Sequence, residues 1–178
     1  MTRAAPRGNS ARLFIAAWPD AATLQALRAL AAALPWPPGA RLVAPHRLHL
    51  TLHFIGMVDE RRVDEIAGVL VLPPRAAFEI GFTRLAAWRH GLAVLEPAAA
   101  PPALAALHAD LATPLRACGL PLERGALRAH VTLAREAAGF DAAAWSGTLR
   151  WPVCAYSLVH SHPALGYRRL RDYPLDPG

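Results

Sequence analysis

The sequence predicts an α+β fold with an internal duplication, on three observations. The stretch Arg47-Leu48-His49-Leu50-Thr51-Leu52-His53 alternates polar and apolar residues, and it returns in reduced form at Arg128-Ala129-His130-Val131-Thr132-Leu133. Such alternation is the pattern of a β-strand with one face buried. Each copy follows a helical pattern, Thr23 to Leu34 before the first and Pro101 to Cys118 before the second, so helix and then motif strand occurs twice. The chain has 178 residues, is 54% hydrophobic and has a mean hydropathy of +0.22. That suffices for one domain, or two small lobes around a shared core, with a substantial interior.

Taken in order, Met1 to Ala11 contains Arg3 and Arg7 but lacks the apolar run of a signal peptide, so residues 1–11 read as a disordered leader and residues 12–178 as one domain. Arg12 to Trp18 reads as the first strand, closed by Pro19-Asp20. Thr23 to Leu34 is Ala- and Leu-rich with apolar spacing near 3.6 and stops before Pro35-Trp36-Pro37-Pro38-Gly39. Arg41 to Ala44 is a candidate short strand, and the first motif strand runs to Ile55 and ends at Gly56. Asp59 to Leu72 reads as a helix, with an acidic start and Val63, Ile66 and Leu70 on one side. Phe78 to Trp88 and Leu92 to Leu95 form a hairpin across Arg89-His90-Gly91. In Pro101 to Cys118, Leu104, Leu107, Leu111 and Leu115 fall at helical spacing, with Pro114 expected to kink or shorten the helix. The second motif strand covers Leu127 to Arg135, one strand lies within Trp151 to His160, and a last one spans Tyr167 to Tyr173.

The two motifs carry the chemistry. Side chains two apart on a strand share a face at roughly 6.6 Å, so His49 projects with Thr51 and His130 with Thr132. With 8 histidines in the chain, chance supplies a His-apolar-Thr-apolar match roughly 0.1 times, and two matches well under 0.01 times. Histidine gains or loses a proton near neutrality, so a pair can serve as general base and general acid in one turnover. In-line attack on phosphorus needs both, and the threonine hydroxyls can donate to the non-bridging oxygens where negative charge grows.

The paired motifs His49-Leu50-Thr51-Leu52 and His130-Val131-Thr132-Leu133 resemble those of the two-histidine phosphoesterase superfamily, and within it the RNA 2′,3′-cyclic phosphodiesterases, also called 2′-5′ RNA ligases. The resemblance extends to Arg12-Leu13-Phe14-Ile15-Ala16, to Leu48 to Gly56, to His130 to Arg135, and to the segment from Gly166 through Tyr167 and Tyr173-Pro174 to Leu175. It implies two pseudo-symmetric lobes, each an antiparallel sheet backed by helices, with a central cleft carrying both motifs. It also implies His49 as the proton donor to the leaving 3′-oxygen, His130 as the proton acceptor from water, and a 2′-phosphomonoester product, with reversible 2′-5′ ligation. Thr51 and Thr132 then hold the phosphate, Arg135 matches an arginine common in the family, and Phe14 and Tyr167 are candidates to stack on a base. Sequence physics does not distinguish acid from base between the imidazoles. Two departures stand out. His53 occupies a position where relatives often have Lys, on the face expected to hold His49 and Thr51, and Ala129 replaces a frequent proline.

Composition narrows the field further. All 19 basic residues are Arg, which excludes a lysyl-adenylate ligase mechanism. A formal charge of +6 suits a polyanionic partner. Cys118 and Cys154 show no ligand spacing and are expected as buried free thiols. His46, His49 and His53 offer a zinc reading, but on a strand residues 49 and 53 lie roughly 13 Å apart, so no metal and no cofactor is expected. Expected partners are RNA ends or cyclic nucleotides, with a cytoplasmic, monomeric protein that contacts no membrane. Two rivals remain open: a non-catalytic module that binds nucleotides or RNA ends, and a relative acting on another cyclic or 2′-5′ linked nucleotide.

Overall fold

Alternation along the motif strands sorts side chains between a packed interior and an open sheet face in the computed structural model, which describes residues 9–123 and 125–177. The strands are β1 (Ser10–Ala17), β2 (Arg41–Leu42), β3 (Leu50–Asp59), β4 (Phe78–Trp88), β5 (Leu92–Pro97), β6 (Val131–Arg135), β7 (Leu149–Val153), β8 (Ala155–His162) and β9 (Gly166–Pro174). The helices are α1 (Ala21–Ala33), α2 (Val63–Val69) and α3 (Pro102–Ala117). All strands join one antiparallel sheet in the order β7-β4-β5-β6-β3-β1-β8-β9, with β2 added to β6. The sheet divides into one half of five strands, β2 included, and one of four, which meet through the rung between Leu50 and Val131. Each half contributes strand, helix and motif strand in the same order: β1, α1, β3 in one and β5, α3, β6 in the other. This is the expected α+β architecture of two related antiparallel lobes.

The helices cross between halves. α1 packs against β7, while α3 rests on β3 and α2. The Asp20 carboxylate starts α1 by accepting from the Thr23 amide at 2.7 Å. At its far end the Trp36 indole donates to the Ala31 carbonyl at 2.7 Å and stacks on Phe140. The hydroxyls of Tyr156 and Tyr173 donate to the carbonyls of Leu70 and Ala67 at 2.7 and 2.8 Å, pinning α2 to the sheet. Leu13, Ile15, Leu50, Phe82, Val131 and Trp151 are all buried in one core beneath the sheet. Among the described residues, no helix is long and apolar enough to cross a membrane.

Several boundaries differ from the sequence reading, each for a local reason. β1 begins at Ser10, not Arg12, because Ser10 and Ala11 pair with Asp59 and Val58, and Ala11 is in the core. Asn9, also in the expected leader, accepts from the Glu60 amide at 3.0 Å, and residues 1–8 lie outside the described residues. β3 continues through Gly56 to Asp59: a bulge forms there and Gly56 adopts φ of 87°, which glycine tolerates. Pro114 does not shorten α3, because the Cys118 amide still reaches the Pro114 carbonyl and the turn closes beyond it. The single strand expected within Trp151 to His160 is two, β7 and β8, broken at Cys154. Pro152 is accommodated because β7 is an edge strand. Both cysteines are free but not buried: Cys154 is exposed at that corner, and Cys118 is half-buried at the end of α3.

Candidate active site

Leu50 and Val131 face the core, so the residues flanking them face the other way. Extending the register of that rung sets His49 opposite Thr132 and Thr51 opposite His130, all four on the open face. Directly opposed side chains on antiparallel strands have Cβ atoms roughly 5 Å apart, and diagonal ones roughly 7–8 Å. The two imidazoles therefore occupy one diagonal and the two hydroxyls the other. Both histidines are the last residues before their strands and are half-buried.

The two imidazoles are set in the same way. His49 Nδ1–H donates to the Arg47 carbonyl at 2.6 Å, and His130 Nδ1–H donates to the Arg128 carbonyl at 2.7 Å. A carbonyl can only accept, so each Nδ1 keeps its proton and each Nε2 is left for chemistry. A neutral ring then offers an Nε2 lone pair, and a charged ring an Nε2 proton. Burial holds both rings below the ordinary histidine value of 6.5, and the carbonyl bond opposes this in each. The positive charges of His130, Arg47 and Arg135 press His49 lower still, whereas at His130 the carboxylate of Glu96 works upward against Arg128.

That asymmetry has a structural source. Arg47 lies over the Tyr167 ring at 4.5 Å, and Tyr167 meets His49 edge-on at 5.3 Å. Arg128 lies over Trp88 at 4.0 Å, and Trp88 packs on His130 at 4.3 Å. Each motif thus uses the arginine two residues before its histidine twice, through its carbonyl and through a stacked guanidinium. Only the second arrangement is anchored by a buried acid. Glu96 is 6% exposed and accepts from Trp88 Nε1 at 2.9 Å and Arg84 Nη2 at 2.7 Å, with Arg128 Nη2 at 3.4 Å. In Glu96→Gln the amide oxygen still holds Trp88, but the negative charge is gone, so His130 loses proton affinity. In an NMR titration from pH 4 to 9 the midpoint of the His130 ring moves to lower pH in Glu96→Gln.

Two β-bulges decide what else faces the site. In β3 the pairing with β1 slips between Ile15 opposite His53 and Ala16 opposite Thr51, and in β6 the pairing with β5 slips between Ala93 opposite Ala134 and Val94 opposite Thr132. Each slip follows the threonine by one residue. His53 and Ala134 consequently turn into the interior, and Phe54 and Arg135 turn onto the open face. The expectation that His53 shares a face with His49 is therefore corrected. His53 is 5% exposed, its Nε2 bonds the His108 carbonyl at 2.8 Å, and its ring stacks on His108 at 3.9 Å. Strict alternation would have sent Arg135 inward, yet the bulge returns it to the side where its charge is felt at His49.

The His53 and His108 rings both lie below the ordinary histidine value of 6.5. Burial leads in both, and His108, with His53 and Arg116 adding repulsion, is lowered to about 4. A neutral ring in the fold that would charge when unfolded stabilises above the unfolded value and loses that contribution as pH falls through the folded one. The melting temperature therefore falls between about pH 6.5 and 4, and His108→Gln flattens that fall in thermal melts.

Of the residues singled out by sequence, the structure groups His49, His130, Thr51 and Thr132, brings Phe14 to 5.2 Å and Tyr167 to 5.3 Å from His49, and sets Arg135 on the same side. Phe14 is 4% exposed but belongs to a small cluster of its own with Ala16 and Val159, on the site side of the sheet. Trp18, 5.2 Å from His49, and the group of Trp88, Glu96 and Arg128 were missed. The only sequence signal for them was the arginine two residues before each histidine. Among the described residues, no three His, Cys, Asp or Glu side chains cluster as a metal would require.

The model of a family described as the 2′-5′ RNA ligase superfamily matches residues 15–162. Among solved structures, Escherichia coli LigT in its apo form superposes with a TM-score of 0.83 at 24% identity, covering 94% of this chain and 99% of that one. TT0787 of Thermus thermophilus gives 0.75 at 22% identity, covering 92% and 97%. The MHV ns2 PDE domain gives 0.56 at 15%, covering 84% and 98%. At these identities the likeness is one of fold. LigT has also been solved with 3′-AMP bound. No curated protein sequence is a significant match.

Proposed function

The chain belongs to the 2′-5′ RNA ligase superfamily, and from that premise we propose that it is a metal-independent phosphodiesterase opening 2′,3′-cyclic phosphate ends of RNA to 2′-phosphomonoesters. The observation that carries the reading is the matched pair of Nδ1-to-carbonyl bonds, at 2.6 and 2.7 Å, which leaves two Nε2 atoms on one open face. Binding alone does not call for two proton carriers set in the same tautomer.

In the proposed reaction His130 Nε2 takes a proton from water as its oxygen attacks phosphorus. The bond to the 3′-oxygen breaks, and that oxygen receives the proton held on His49 Nε2. Thr51 and Thr132 donate to the non-bridging oxygens, and Arg135 adds positive charge beside them. A 5′-hydroxyl in place of water gives a 2′-5′ linked RNA by the same steps. The acid and base assignment follows the family resemblance.

The test is incubation in EDTA with a 2′,3′-cyclic mononucleotide and with RNA carrying a 2′,3′-cyclic end, followed by identification of the product isomer. Formation of the 2′-phosphate supports the reading. The 3′-phosphate, or no turnover with nucleotide binding retained, overturns it, the latter in favour of a binding module. Because both imidazoles lie below 6.5, the base is neutral and the acid still charged only on the acid side of neutrality. kcat/KM therefore follows a bell with its maximum below about pH 6.5. A plateau reaching pH 8 would remove the charged imidazole from the mechanism.

A further inference from the structure

Given that reading of the site, we infer that the exposed strip of Phe54, Met57 and Arg12, joined to the site through the buried Phe14, binds the one or two nucleotides preceding the cyclic end, so that the preferred substrate is a single-stranded RNA terminus. On β1, Ala11 and Leu13 are buried at 2% and 1%, so Arg12 and Phe14 point to the opposite, open side. The register sets Phe54 opposite Phe14 and Met57 opposite Arg12. Phe54 is 49% exposed and Met57 63%, two large apolar side chains in consecutive positions on a sheet face that nothing among the described residues covers.

The strip is continuous with the site. Phe14 lies 5.2 Å from His49 on one side and 6.3 Å from Phe54 on the other. Its two rungs are two β1 residues apart, roughly 6.6 Å, a step suited to successive bases of an extended strand. Aromatic and thioether surfaces offer stacking that does not depend on base identity, and the exposed Arg12 beside Met57 suits a phosphate between bases. The pseudo-symmetry strengthens the assignment, because the bulge that brings Arg135 onto the site side brings Phe54 there from the other motif. The strip is short. Beyond Met57 the strand ends at Asp59, an acid held by Arg61, which sets a limit of about two nucleotides.

The experiment compares a 2′,3′-cyclic mononucleotide with RNA di-, tri- and tetranucleotides bearing the same cyclic end, and measures by fluorescence anisotropy the binding of a labelled tetranucleotide ending in a 2′-phosphate. For the unaltered protein kcat/KM rises about tenfold from one nucleotide to three and levels off, and raised salt diminishes the gain. Phe54→Ala and, separately, Arg12→Ala remove most of the gain and weaken tetranucleotide binding by about tenfold, with mononucleotide turnover unchanged. Met57→Ala, at a more exposed position, gives a smaller loss of the same kind. Equal kcat/KM for mononucleotide and tetranucleotide, or tetranucleotide binding unaffected by all three substitutions, overturns the strip. So does self-association lost in Phe54→Ala with RNA binding intact, which assigns the patch to a second copy. Absent turnover with the binding differences retained overturns the phosphodiesterase reading and leaves the strip standing.

Discussion

Replacing His130 or His49 with alanine lowers kcat on a 2′,3′-cyclic phosphate end by about 10²–10⁴. Both side chains stand on the open face while Leu50 and Val131 carry the packing beneath them, so the thermal melt of either variant stays close to that of the parent. The double variant loses little more than one single variant, because base and acid serve the same transition state. A 4-nitrophenyl phosphodiester separates the roles. Its leaving group departs without a proton, so it restores activity to His49→Ala and leaves His130→Ala impaired. Near-full turnover of the cyclic substrate by either variant would exclude that histidine. The opposite pattern of restoration would exchange the two assignments.

The second large effect is expected at the hydroxyls. Thr51→Val or Thr132→Val keeps the β-branched shape that suits a strand and removes a hydroxyl proposed to donate to the equatorial oxygens, and removing one such donor costs about 10²–10³ in kcat. The loss falls on kcat rather than KM, because the bond tightens as charge develops. A variant that raised KM alone would reduce the threonine to ground-state binding. One with unchanged kinetics would make it a strand residue only.

The motif pair was legible because alternation encodes which side of a strand a residue occupies and because the two copies are far too alike for chance. Thr51 and Thr132 fell on the predicted face with their histidines. Helices α1 and α3 were legible from apolar spacing, and Asp20 and Pro101 mark their starts. His53 departs from simple alternation. Its position two residues after Thr51 placed it on the face of His49 and Thr51, but pairing with β1 inserts a bulge that strict period-two alternation cannot contain. Phe54 and Arg135 turned onto the open face by the same device. Glu96 and Trp88 come from the hairpin strands β5 and β4, and nothing in their own neighbourhoods announces that β5 lies beside the second motif.

Local matters are written along the chain: two imidazoles each with a hydroxyl on one strand face, an arginine two residues before each, and apolar neighbours able to anchor both. Tertiary structure alone decided that the two motifs share the rung at Leu50 and Val131, which residues follow them onto the site, and that one imidazole has a buried acid behind it while the other lies among aromatic rings. The reason is physical. Side-chain alternation is a property of a single strand, whereas bulges, register and electrostatic surroundings belong to pairs of strands drawn from distant parts of the chain.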